Sequence, residues 1–346
     1  MYINFMSCEN KDIYVSRWLM LITFLVALMI IVGGLTRLTD SGLSITKWDL
    51  ISGIIPPLTL DAWEKSFNLY KQIPEYKLQN SLMSLDEFKI IFWWEYIHRL
   101  LGRLIGALYF FPLIYFLTKK YINQRHQFQL FIILFAILLQ GFLGWYMVMS
   151  GLTENTDVSH YRLSLHLTLA FIIFIMLLWN YLKITNNQTF LIKEYLPKYI
   201  LTIFLILIIL QISIGALVSG LDAGQIYQTW PLMNQYYFPD DSEINELFSF
   251  KSFEIPSLVQ FMHRNLAYLI FSLFLIIFLI IFKNKNYAYL KKTAFYVFVF
   301  LFLQVFLGVL TILSGAQIIL ASAHQICSIF LVTFSLILIF KNSKIN

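Results

Sequence analysis

The chain has 346 residues, of which 59% are hydrophobic and 13% charged, with a formal net charge of +6. A soluble domain of this length is roughly a quarter charged, and here the apolar residues run in blocks of membrane-spanning length, which places the chain among integral membrane proteins. The positive charge does not indicate nucleic acid, because Lys and Arg stand in short clusters between apolar blocks, as membrane topology requires.

Taken in chain order, eight stretches reach the roughly 20 apolar residues that a bilayer-crossing helix needs: 17–36, 94–118, 127–150, 163–182, 199–220, 259–282, 293–314 and 317–340. The first, beginning near Trp18, has no small-residue cleavage pattern behind it and reads as a retained helix. No Arg- and Ser-rich transit segment precedes it, which favours a bacterial inner membrane. The last two are separated by Ser314-Gly315, a turn signal. The connections after the second, fourth and sixth spans are basic: Lys119, Lys120 and Arg125; Lys183, Lys193 and Lys198; Lys283, Lys285, Lys291 and Lys292. The turns after the third and seventh carry only Arg162. The positive-inside rule then puts both termini in the cytoplasm and the long connections 37–93 and 221–258 outside. The second of these is acidic, with Asp222, Asp240, Asp241, Glu243, Glu246 and Glu254, which suits an outer face. Cys8 and Cys327, at opposite ends of the chain, offer neither a disulfide framework nor a CxxC metal site.

The chain also repeats itself. In GGLTRLTDSGLSITKW, Gly33, Asp40, Gly42 and Trp48 fall on Gly215, Asp222, Gly224 and Trp230 of GALVSGLDAGQIYQTW. EYIHR at 95–99 matches QFMHR at 260–264, QGFLGWYMVMSG at 140–151 matches QVFLGVLTILSG at 304–315, and His166 matches His324. Greasy helices align by chance on Leu and Phe, not on Asp, Gly, Trp, Gln and His in one order, so this is a duplication. Four spans per copy make the two copies run in the same sense, a parallel repeat about an axis near the membrane normal. The fold expected is an all-α integral membrane protein of eight helices in two pseudo-symmetric four-helix bundles, residues 1–182 and 199–340, joined by a cytoplasmic linker at 183–198.

His98, His166, His263 and His324 each open a span that enters from the outside, so their imidazoles share one depth near the outer face. His126 and His160 lie in connections and read as surface residues. Ionisable groups inside spans are functional candidates, and a four-helix unit with two facing histidines is a means of holding a porphyrin, one imidazole on each face of the iron. A zinc site lacks the four ligands it would want. Arg99 and Arg264 follow the first histidine of each copy, with Arg103 a turn deeper and Arg37 at the end of the first span. These are candidates for the propionates, since the guanidinium fork fits carboxylates; interfacial snorkelling is the alternative. Gly141, Gly144, Gly151, Gly308 and Gly315 allow close approach of a ring or a neighbouring helix.

One substitution breaks the symmetry. Glu95 stands three residues before His98, on its helix face, where the second copy has Gln260 before His263. Gln keeps the size and loses charge and proton chemistry, so the first site carries an acid, base or nucleophile and the second only ligands, as for electron transfer. The structural alternative is a buried Glu95–Arg99 ion pair.

GGLTRLTDSGLS…W, EYIHR, the two QxFLG…SG spans, YRLSLHL and SAHQ together resemble the heme A synthase family over residues 17 to 340. The resemblance implies two four-helix bundles and oxidation of a ring methyl of heme O to a formyl group, giving heme A for cytochrome oxidase, with water as the oxygen source. It implies that His98 and His166 face the heme O substrate, that His263 and His324 ligate a heme b cofactor, and that Glu95 is essential. Implied partners are heme O, heme O synthase, an electron acceptor and membrane lipid, with a second copy of the chain left open. Some members carry a cysteine pair in the first outer connection; residues 37–93 here contain none, which marks a subgroup without it. The alternatives are a non-catalytic diheme b-type electron carrier and a heme transporter.

Overall fold

The computed structural model describes residues 2–49, 52–152, 156–186 and 196–342. Lys193 and most of the linker 183–198 lie outside them. No β-strand is present among the described residues. The helices are α1 (Tyr2–Leu38), α2 (Leu60–Tyr70), α3 (Pro74–Leu78), α4 (Leu85–Thr118), α5 (Gln124–Met149), α6 (His160–Thr185), α7 (Lys198–Gly220), α8 (Pro256–Lys283), α9 (Ala288–Leu313) and α10 (Ile318–Asn342). All but α2 and α3 are long and apolar enough to cross a membrane, and the protein is a multi-pass membrane protein.

The helix ends follow from local chemistry. α4 starts at Leu85, well before the apolar run at 94, because Ser84 and Glu87 form a capping box. The Ser84 hydroxyl accepts from the Glu87 N–H at 3.3 Å and the Glu87 carboxylate accepts from the Ser84 N–H at 2.7 Å. α1 and α7 stop at the matched aspartates: Asp40 has φ 47° and Asp222 φ 49°. Asp tolerates this left-handed conformation better than most residues, which explains why the repeated motif carries it. At the turn between α9 and α10, Gly315 and Ala316 are both left-handed (φ 69° and 62°), and the Ala316 N–H closes on the Thr311 carbonyl at 2.8 Å.

The chain divides into two compact units, Met1–Asn180 and Tyr181–Asn346. In the first, α4 packs between α1 and α5. The Trp18 indole of α1 donates to the Leu108 carbonyl of α4, and the Tyr109 hydroxyl of α4 to the Leu130 carbonyl of α5. In the second, α7 packs on α8, α8 on α9, α9 on α10 and α10 on α7, a closed ring of four. Cys327 is buried in α10 as a free thiol.

The segment between α1 and α4, read from sequence as a connection, carries a packed helix pair. Phe67, Tyr70 and Ile73 bury themselves against Phe88, Phe92 and Tyr96 of α4, with Leu43 and Val148 in the same cluster. Aromatic side chains bury enough area each to fix so short a helix pair on a span.

Candidate heme-binding site

Each histidine-bearing span meets a glycine on a neighbouring span. A Cβ added to Gly33 of α1 would stand 2.9 Å from Cε1 of His98 on α4; at Gly144 of α5 it would stand 3.1 Å from His166 on α6. In the second unit the same holds for Gly215 of α7 and His263 on α8, at 3.0 Å, and for Gly308 of α9 and His324 on α10, at 2.9 Å. The glycines thus do one job four times: they remove the only atom that would push the imidazole off the helix behind it.

The rings of His98 and His166 face each other with centroids 6.5 Å apart and planes at 56°. Two imidazoles on one metal, at metal–nitrogen distances of about 2.0 Å, hold their ring centres roughly 6 Å apart. The first pair therefore fits an axial, two-sided ligand set. Among the described residues no group of three or more His, Cys, Asp or Glu gathers as a metal-binding cluster. His126 stands apart beside Arg125, and His160 against the ring of Tyr161.

Glu95 is 2% exposed and has a full set of partners. The ion pair with Arg99 forms, Nη2 to Oε1 at 2.6 Å. The other oxygen, Oε2, accepts from the Ser44 hydroxyl and the Ile45 N–H, both at 2.7 Å. Arg99 continues past Glu95 to donate to the carbonyls of Ile45 at 2.8 Å and Lys47 at 3.1 Å, and its guanidinium lies over the Trp48 ring at 4.9 Å. Arg264 repeats the clamp, donating to the carbonyls of Tyr227 and Thr229, both at 2.9 Å. These are the repeat counterparts of Ile45 and Lys47. Gln260, 1% exposed, donates to the Tyr227 carbonyl at 3.1 Å. Arg103 donates to the Asp49 carbonyl at 2.8 Å, and Arg37 pairs with Asp40 at 2.7 Å. All four arginines are thus engaged with the segments that follow α1 and α7.

Three features carried weight that sequence reasoning gave them only in part or not at all. Ser44 completes the Glu95 site, and nothing about a lone Ser in a connection signals that. Gln140 and Gln211 reach the histidines: their Nε2 atoms donate to the backbone carbonyls of His166 at 3.0 Å and His263 at 2.9 Å. Gln304 lies 3.3 Å from a ring nitrogen of His324. Their signal was a Gln four residues before a Gly in three spans. Glu75 is the third: buried in α3, it accepts from the Tyr70 hydroxyl at 2.8 Å. Burial pushes its carboxyl up to about 7; the Tyr70 bond opposes this, and the Glu95 charge adds to it.

A family model described as cytochrome oxidase assembly protein matches residues 16–336. The heme A synthase of Pelagibacter ubique is 46% identical over 342 residues, covering 98% of this chain and all of that protein. The chain belongs to the heme A synthase family. The heme A synthases of Rickettsia bellii (43% over 321 residues, 92% of this chain and 95% of that one) and Parvibaculum lavamentivorans (43% over 311 residues, 90% and 89%) match over a similar extent. The matched extent thus covers both repeats and is not confined to one of them.

Proposed function

We propose that this membrane oxidoreductase converts heme O to heme A in cytochrome oxidase assembly, oxidising one ring methyl to a formyl group with oxygen drawn from water. Heme O is held in the first repeat between His98 and His166, and a heme b between His263 and His324 in the second. Both sites lie near the outer face, and both termini are cytoplasmic. The reading is carried by one observation: His98 and His166 oppose each other at 6.5 Å, with Glu95, one turn away on the same helix, as the charged group that the second repeat lacks.

The residues divide the work. The imidazoles fix the substrate macrocycle by its iron, and the four glycines let them stand where they do. Oxidation of a methyl with water needs a group that takes protons from the attacking water, or that attacks first and is displaced by it. Glu95 supplies that group, as general base or as nucleophile. Its three donors hold the carboxylate in one orientation, and Arg99 compensates its charge. The clamp formed by Arg99 on Ile45 and Lys47 fixes the segment after α1 against α4 beside Glu95. Methyl to formyl with water releases four electrons and four protons; a heme b in the second repeat would pass the electrons on singly to an external electron acceptor, and Gln260 in place of a carboxylate leaves that site without acid–base chemistry.

The test is pigment extraction from cells that make heme O, with and without the chain, followed by chromatography of the hemes. Heme A formed only with the chain supports the reading. A purified protein with a bis-imidazole heme spectrum and no heme A formation would identify a diheme electron carrier instead.

A further inference from the structure

Three of the four imidazoles have a glutamine beside them and one does not. Gln140, Gln211 and Gln304 each stand one helical turn before the glycine that faces the histidine: Gly144, Gly215 and Gly308. Before Gly33 that position is Met29. The Gln140 amide nitrogen lies 3.2 Å from Nδ1 of His166, while those of Gln211 and Gln304 lie against both ring nitrogens, 3.1 Å from Nδ1 and 3.2 Å from Nε2 of His263, and 3.4 Å from Nδ1 and 3.3 Å from Nε2 of His324. All three amide oxygens are buried without a partner, and so is Nδ1 of His98. A buried acceptor without a donor costs about 1–3 kcal/mol. The same omission at three equivalent positions points to a donor that arrives with the ligand.

A histidine that binds metal through one nitrogen carries a proton on the other, and that N–H is ordinarily given to a carbonyl or carboxylate, which fixes the ring. An amide N–H facing it would set donor against donor. A half-turn of the amide exchanges Nε2 and Oε1 and presents the unpartnered oxygen to the ring. The backbone carbonyl that loses the amide still has its own helical N–H donor.

We propose that Gln140, Gln211 and Gln304 are positioning residues that accept the ring N–H which His166, His263 and His324 keep when their other nitrogen binds iron, and that Met29 leaves His98 as the one ligand without such a brace. This rests on the reading of the four histidines as heme ligands. It adds a physical reason for their division of labour. The second repeat, braced on both sides, retains its heme. The first, braced on one side, admits a heme that must leave again as product, and it lets go at His98.

The test uses the purified full-length chain loaded with heme b, measuring heme transfer to excess apomyoglobin and the midpoint potential. Gln211→Met and Gln304→Met are expected to speed heme loss by about ten- to a hundred-fold. Gln211→Glu and Gln304→Glu, with a stronger acceptor on the ring N–H, are expected to keep the heme and lower its potential, which a merely space-filling role would not do. Met29→Gln is expected to slow release from the first site and to raise the heme retained through purification. Unchanged release and unchanged potential in the variants of a heme-loaded protein overturn the proposal. Should the Met variants fail to fold, the potentials of the Glu variants decide it alone. If the unaltered chain takes up heme without a bis-imidazole spectrum, or His263→Ala retains that spectrum in full, it is the ligand assignment that fails, and the brace falls with it.

Discussion

The two repeats build the same clamp and load it differently. Arg99 and Arg264 each grip two carbonyls of the segment that follows the preceding span, at equivalent positions and nearly equal distances. Beside that shared clamp the hydrogen-bond polarity reverses. Glu95 accepts from the Ile45 N–H and from Ser44, whereas Gln260 donates to the Tyr227 carbonyl, and Ile226 stands where Ser44 does. Met29 against Gln211 is the second contrast. On the proposed reading, a duplicated scaffold separates a reacting site from a holding site with few side chains, because the backbone that positions them is built twice.

The largest expected effect on this comparison comes from Glu95→Gln, which makes the first repeat resemble the second. Heme binding is expected to persist while heme A formation falls by about a hundred- to ten-thousand-fold, the span typical of a lost acid–base group, as read by chromatography of extracted hemes. Full turnover in that variant would return Glu95 to the role of clamp component. Next, His263→Ala or His324→Ala is expected to strip the resident heme, seen as loss of its Soret band on purification, with His98→Ala leaving that band in place. Equal loss from all three would erase the distinction between the sites.

Smaller effects sharpen it. Gly308→Ala puts a Cβ 2.9 Å from the His324 ring and Gly33→Ala does the same at His98. Overpacking of this kind costs about 1–3 kcal/mol where the neighbour is held, so Gly308→Ala is expected to lower the thermal midpoint more than Gly33→Ala, whose imidazole has no glutamine to hold it. The smallest effect is a pH dependence confined to the first repeat. Glu75 has its carboxyl raised from 4.5 to about 7, chiefly by burial, so the folded α2–α3 segment binds a proton more tightly than the unfolded one. The stabilisation is fully present below about pH 4.5 and is lost as pH rises through about 7. Hydrogen exchange across 60–78 is expected to quicken over that window, and Glu75→Gln to flatten the dependence.

Much of this was legible in the residues. The spans and their repeat follow from hydropathy and offset, which are one-dimensional signals. The Glu95/Gln260 contrast is visible because the flanking Tyr-Ile-His-Arg and Phe-Met-His-Arg keep register. The start of α4 at Leu85 was missed since the polar capping box lies outside the apolar run, and the packing of α2 and α3 was missed because amphipathic helices in a connection carry no membrane signal. Of the arginines read as candidates for propionates, Arg99, Arg103 and Arg264 donate to backbone carbonyls and Arg37 to the Asp40 carboxylate, since a guanidinium's partner is set by whichever acceptors the chain brings within reach.

Sequence alone determined the eight spans, the duplication, the spacing of glutamate and histidine and the residues that make the copies unequal, because covalent order and helical periodicity place neighbours on one face. Only the tertiary structure decided which glycine backs which imidazole, that Ser44 and Ile45 complete the carboxylate's shell, and that three glutamines flank histidines while Met29 flanks none. Those are contacts between helices, and the distance between two helices is set by packing, which no single stretch of sequence contains.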